Sequence, residues 1–185
     1  LGQSSSMTPT RVTPAKAVIQ MVNKFPKLIV FDLDYTLWPY WCDTHFITPL
    51  RREGDFIYGR SGIRHEVYPD SDSILRSIHE NPAVKLACAS RTGAIDIAKT
   101  LLRLLKWDEL FDYMEIYPGS KVKHFESFHR LSGIPYYEMI FFDDEDRNIR
   151  DVSQLGVHSY LVENGMTVSL LHQALKRFER DTGFQ

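Results

Sequence analysis

Asp32 and Asp34 flank Leu33 where the apolar run KLIVF (27–31) ends. A spacing of two turns both carboxylates to one side of an extended chain and Leu33 to the other. Paired carboxylates repel unless a cation, a proton or hydrogen-bond donors compensate. Alone, such a pair reads as a solvated turn, since turns favour aspartate for its local hydrogen bonds. The rest of the chain changes that reading. FFDDEDRN places Asp143 and Asp144 behind a second apolar run, and ASRT places Ser90, Arg91 and Thr92 behind a third. At that third junction a hydroxyl and the free amides of a helix start suit an anion. YPGSK sets Lys121 at the start of a further helix, where a cation opposes the helix dipole unless it meets an anion. Acids, hydroxyl, cation and acids thus follow successive strands. The set suits a divalent metal next to a phosphate, and magnesium is the hard, oxygen-loving ion that shares its shell with phosphate.

The elements that must position these groups are legible in the apolar pattern. KLIVF (27–31), VKLACA (84–89), YMEIY (113–117), MIFF (139–142) and VHSYLV (157–162) read as short strands, the first buried on both faces. Helical patterns occupy 15–23, 71–80, 93–105, 120–133, 146–156 and 168–181, with Gly133 a suitable stop. The alternation predicts an α/β fold: a doubly wound, three-layer, mainly parallel sheet with right-handed crossovers. In such sheets ligands bind beyond the carboxyl ends of the strands, where all the candidate residues fall. Segment 40–68 breaks the alternation with Gly54, Gly59, Gly62 and four arginines, and is read as a short flap or loop. Residues 1–14 read as a loose tail, its first six as an expression remnant, and 15–185 as a single domain.

Bulk properties narrow the classes. The 185 residues fit one domain with a substantial core. A net charge of -2 argues against a broad grip on nucleic acid. No apolar run reaches the length of ~20 residues that spans a bilayer. Two cysteines make no disulfide framework and no zinc motif, so a reducing, cytoplasmic setting is expected. Cys88 reads as a core residue, LLRLL (101–105) as helix packing, and His124 and His129 as ordinary packing or surface histidines.

The strings DLDYT, ASRT, GSK and FFDDEDRN resemble, in order, the four motifs of the haloacid dehalogenase (HAD) phosphatase superfamily. FDLDYTLWPYWCDTH, EIYPGSKVKHFE and IFFDDEDRNIRDVSQLGV are similar to its magnesium-dependent phosphatase family, with the resemblance running from about Lys27 to the helix near residue 180. The resemblance implies a Rossmann-like HAD fold and an aspartyl-phosphate mechanism. Asp32 would be the nucleophile and Asp34 the proton donor and acceptor. Mg2+ would be held by the Asp32 side chain, the Asp34 carbonyl and the Asp143/Asp144 pair, with Asp144 favoured as the direct ligand. Ser90 and Lys121 would bind phosphoryl oxygens, Arg91 would contact substrate, and Thr36 would support the loop after the strand.

Large caps in that superfamily are insertions after the first or second motif, and neither place has room for one. An open site is therefore expected, able to take a phosphate on a small molecule or on a protein, in a monomer without nucleic-acid or membrane partners. The resemblance implies phosphotyrosine-like aryl phosphates or sugar phosphates of the fructosamine-6-phosphate type. Trp38, Tyr40 and Trp41 either stack on the substrate group or pack in the core and flap. Two alternatives share part of the pattern. A phosphorelay receiver module carries its acidic pair first and its acceptor aspartate in mid-chain, the reverse of this order. A phosphosugar mutase would need a cap to retain its intermediate.

Overall fold

The computed structural model describes residues 12–183, so most of the expected tail lies outside the described residues. Pro14, at the first helical position behind the capping Thr13 side chain, opens α1 (Pro14–Gln20), one residue ahead of the expected start. β1 (Leu28–Phe31) follows. The expected flap is a small antiparallel sheet of β2 (Arg51–Glu53), β3 (Phe56–Tyr58) and β4 (Arg64–His65), turning at Gly54, whose φ of 60° suits a residue without Cβ. The chain continues through α2 (Ser71–His79), β5 (Lys85–Ser90), α3 (Ile95–Leu104), β6 (Tyr113–Ile116), α4 (Lys121–Ser132), β7 (Met139–Asp143), α5 (Asp146–Ser153), β8 (His158–Leu161) and α6 (Val168–Thr182). A single 3-10 turn at Tyr136–Glu138, not foreseen in the sequence, leads into β7. No described helix is long and apolar enough to cross a membrane.

The five long strands form one parallel sheet in the order β6-β5-β1-β7-β8. The chain steps from β1 to β5 and β6, then returns to the other side of β1 for β7 and β8. The reversal falls at β1, which makes its carboxyl end the natural ligand crevice. Alternating side chains divide between two cores. Ile29, Phe31, Leu86, Cys88, Ile140 and Phe142 pack under α1, α2, α3 and α6. Leu28, Val30, Ala87, Ala89, Met139 and Phe141 face Phe125 and Phe128 of α4 and Val152 of α5. That is the expected three-layer α/β architecture. Each fully buried Phe or Leu contributes ~1.5–3 kcal/mol relative to exposure, which is why the central strands contain so little else. Leu101 and Leu102 of the LLRLL run lie buried in the first core.

The aromatic segment after β1 divides in two. Tyr35 adopts a left-handed φ of 57°, which ends the extended alternation. Trp38 turns inward and stacks on Trp107 (centroids 6.1 Å) and Tyr40 (5.6 Å), and both Trp38 and Tyr40 are buried. Trp41 is 50% exposed. Core packing accounts for the first two rings, and only Trp41 is available to a ligand.

Candidate active site

An open cleft of about 310 Å³ lies beyond the carboxyl ends of β1, β5 and β7. Asp32, Asp34, Ser90, Arg91, Lys121 and Asp144 all line it. Asp143 stands directly behind them. No residue of the flap strands lines the cleft; Arg52 Nη1 instead donates to the Leu104 carbonyl at the far end of α3.

Asp32 continues the central ladder, its N–H donating to the Phe142 carbonyl at 2.9 Å. Its carboxylate accepts from Lys121 Nζ at 2.9 Å and from Thr36 Oγ1 at 3.1 Å. Lys121 opens α4 behind the capping Ser120 and is fully buried. Its ammonium also donates to Asp143 Oδ2 (3.0 Å) and to the Ala89 carbonyl (2.6 Å). The sequence led us to expect an anion at this lysine. The anions within its reach are the protein's own Asp32 and Asp143, because the side chain turns into the sheet rather than out along the helix. Charge-assisted bonds of this kind are about twice as strong as neutral ones. The two carboxylates hold the ammonium above its ordinary pKa although burial pushes the other way.

Asp143 is saturated with donors. Besides Lys121, Asn148 Nδ2 (3.1 Å) reaches Oδ2 and the Glu145 N–H (2.9 Å) reaches Oδ1. Asn148 Oδ1 accepts in turn from Arg91 Nη1 at 3.2 Å. A continuous polar chain therefore links Thr36, Asp32, Lys121, Asp143, Asn148 and Arg91. Ser90 is buried, its Oγ accepting from the Thr92 N–H at 3.3 Å.

Asp34 is held separately. Trp38 Nε1 (2.8 Å) and Cys42 Sγ (3.0 Å) donate to Oδ1, and the Cys42 N–H (3.2 Å) to Oδ2. Burial raises its pKa above the ordinary carboxylate value, and these donors pull part of the way back. Such a carboxyl keeps its proton to a higher pH than a free aspartate, as a proton donor needs. Burial and the neighbouring Asp143 also raise Asp32. Burial pushes Asp144 up to about 6.

Carboxylate oxygens of Asp32, Asp143 and Asp144 lie within 4.8 Å of one another. One buried ammonium cannot balance three carboxylates; burial first, and the charge of Asp143 after it, raises Asp32 and Asp144. An all-oxygen, net anionic donor set fits a hard dication such as magnesium.

Several residues of this site were not foreseen. Asn148, Cys42 and Trp38 act through hydrogen bonds to site carboxylates, and no spacing rule announces them. Arg147, Glu145 and Asp43 join the rim. His124, expected to be ordinary, is buried against three backbone carbonyls of the site loops.

The chain matches the acid phosphatase family over residues 24–181. It is 46% identical to human magnesium-dependent phosphatase 1 over 158 residues, covering 85% of this chain and 89% of that protein. It is 44% identical to a HAD-like hydrolase superfamily protein of Schizosaccharomyces pombe, covering 72% of this chain and 84% of the relative. Among solved structures, a HAD-superfamily hydrolase from Ehrlichia chaffeensis superposes with a TM-score of 0.60 at 10% identity, over 84% of this chain and 98% of its own. A HAD family enzyme from Bacteroides thetaiotaomicron, solved as its magnesium complex, gives 0.56 at 15% identity over 80% and 98%. At those identities the structures speak for the fold alone. The sequence matches show that this chain belongs to the acid phosphatase family, among the magnesium-dependent phosphatases of the HAD superfamily.

Proposed function

We propose that the protein hydrolyses phosphomonoesters through a phosphoenzyme on Asp32, with Asp34 moving the protons. The observation that carries this reading is the separate treatment of the two aspartates. Asp32 is fixed between Lys121 and Thr36 at the head of the cleft, while Asp34 has a raised pKa and donors of its own. An Asp32 oxygen attacks phosphorus as the bond to the leaving oxygen breaks, and Asp34 gives that oxygen its proton. Asp34 then takes a proton from the water that attacks the acyl phosphate, releasing inorganic phosphate and free Asp32. Ser90 Oγ and Lys121 Nζ, both of which line the cleft, would bind phosphoryl oxygens, with Lys121 opposing the charge that develops.

Magnesium would be held by the Asp32 carboxylate, the Asp34 carbonyl and Asp144. Asp144 is half-buried and lines the cleft, while the donors around Asp143 leave it to orient the others. When bound, the ion neutralises charge between the nucleophile and the phosphoryl group. Protons compete for the same acids. Asp144 titrates at about 6, so its metal-binding form is lost as pH falls through that value. The apparent Mg2+ activation constant is therefore expected to rise about tenfold for each pH unit below ~6 as one proton competes at Asp144. Magnesium titrations of activity at several pH values measure this.

For substrate we propose an aryl phosphate of the phosphotyrosine type or a sugar phosphate of the fructosamine-6-phosphate type, including one carried on a protein. Trp41 at the cleft supports this. It stacks on His45 (centroids 5.6 Å), meets Tyr35 edge-on (5.1 Å) and leaves half its surface for a flat ring. The open rim and the flap's distance from it suit a phosphate on a large carrier. A panel of p-nitrophenyl phosphate, phosphotyrosyl peptides, fructosamine 6-phosphates and simple non-sugar alkyl phosphates tests the class, and preference for the non-sugar alkyl phosphates refutes it. Asp34→Asn tests the mechanism. It is expected to accumulate acid-stable labelled phosphoenzyme from a good leaving group and to turn over about 10²–10⁴-fold more slowly. Wild-type turnover by that variant overturns the assignment of Asp34.

A further inference from the structure

The mechanism above makes no use of His124, although it is one of the most deeply buried polar groups in the molecule. It lies in α4, three residues after Lys121. Its Nε2 is 3.0 Å from the Ser90 carbonyl and 3.0 Å from the Tyr117 carbonyl. Its Nδ1 is 3.1 Å from the Ser120 carbonyl, and its ring stacks on Tyr117 at 4.3 Å and 9°. The Tyr117 N–H donates to the Ser90 carbonyl as well, at 3.0 Å. One imidazole therefore ties the end of β5, which carries Ser90, to the loop that leads into Lys121. That loop contains Gly119 at a φ of 119°, a conformation that offers little stiffness of its own.

A neutral imidazole has one N–H to give. Nε2 faces two acceptors. Nδ1 faces one, the Ser120 carbonyl. The Nε2–H tautomer is thus the better matched. Burial, with the Lys121 charge second, lowers the imidazole pKa and so agrees with a neutral ring.

We propose that His124 is a positioning residue. Its Nε2–H, shared between the Ser90 and Tyr117 carbonyls, fixes the separation of the two phosphoryl-binding groups, Ser90 and Lys121. This rests on the phosphate-binding roles proposed above. Because it acts through the backbone, its loss should weaken oxyanion binding while leaving the magnesium carboxylates in place.

The test is competitive inhibition by inorganic phosphate and by orthovanadate, read together with the Mg2+ activation constant and thermal unfolding. His124→Ala is expected to weaken both inhibitors about tenfold and to raise the KM for p-nitrophenyl phosphate in parallel, the scale of one ordinary buried hydrogen bond lost. The Mg2+ constant should move less than the inhibition constants, since His124 touches only backbone carbonyls and none of the metal carboxylates directly. Gln places an amide N–H near the position of Nε2, and Asn near that of Nδ1. His124→Gln should restore inhibition to within about threefold of wild type, and His124→Asn should resemble alanine. If the alanine variant does not fold, the Gln–Asn contrast decides. Unchanged inhibition in a folded alanine variant, equal behaviour of Gln and Asn, or a parallel loss of magnesium affinity overturns the proposal. A wild-type protein that neither inhibitor binds overturns the phosphate site itself, which separates the two failures.

Discussion

Asp32→Asn is expected to lower turnover roughly 10⁴-fold or more, the scale seen when a covalent nucleophile is removed, while the magnesium-free protein unfolds at the same temperature as wild type or higher. The activity loss follows from chemistry: an amide does not displace an alkoxide from phosphorus. The stability follows from charge. Burial and Asp143 both raise the Asp32 pKa, so the folded state resists ionising this residue more than the unfolded chain does. A group raised in this way stabilises below its unfolded value of 3.8 and loses that contribution as pH rises through its folded value. Near neutrality the neutral amide escapes that penalty. It keeps an oxygen for Lys121, and its N–H₂ can give to Thr36 Oγ1. Thermal unfolding in EDTA beside a turnover assay checks both halves. A variant that is inactive because it has unfolded contradicts this account.

Lys121→Met should abolish turnover to a similar degree and move stability the other way. Methionine matches the length of the lysine stem, although the ammonium's place over the Phe141 ring, 5.3 Å from its centroid, is lost with the charge. What disappears is, among the described residues, the only cation within bonding distance of Asp32 and Asp143, the latter fully buried. Breaking a buried ion pair from one side costs about 3–5 kcal/mol, because the stranded charge keeps its desolvation penalty. Chemical denaturation in EDTA should show a loss of that size. Acidification should then recover part of it, as protons replace the missing ammonium. Equal stability of Lys121→Met and wild type at neutral pH would show that the carboxylates are already protonated. The two variants form a matched pair, alike in assays and opposite in unfolding, so together they separate chemical from structural roles in one ion pair.

Much of this site could be read from the sequence because parallel α/β sheets give their functional residues an address. Asp32, Ser90 and Asp143 each follow a short run of Val, Ile, Leu, Ala or Phe, and such runs end at the crevice. Lys121 could be placed at a helix start for the same reason. Its partners could not, since a helix start does not say whether a long side chain turns out to solvent or in under the sheet. Asn148 and His124 stayed hidden for a related cause. Each has one partner far away in sequence, 57 residues to Arg91 in one case and 34 to Ser90 in the other. The aromatic string WPYW offered no rule for telling Trp38 from Trp41, because the left-handed turn at Tyr35 resets which way each ring points. The flap's glycines signalled a flap or loop, yet its placement depends on contacts no spacing announces: Ile57 in the core, His65 against Tyr40 and Phe46, and Arg52 on the Leu104 carbonyl.

Trp41 projects from a short link whose two neighbouring rings, Trp38 and Tyr40, are sunk in the core, and it carries none of the charges of the reaction centre. In engineering terms the molecule is a fixed chemical head with an exchangeable handle. Trp41, Asp43, Thr44 and His45, all exposed, can be diversified to select a new leaving group while Cys42, the strand-end carboxylates, the lysine and their other hydrogen-bonded supports are left alone. A larger cap, which would couple recognition to closure, would not allow the two to be altered separately.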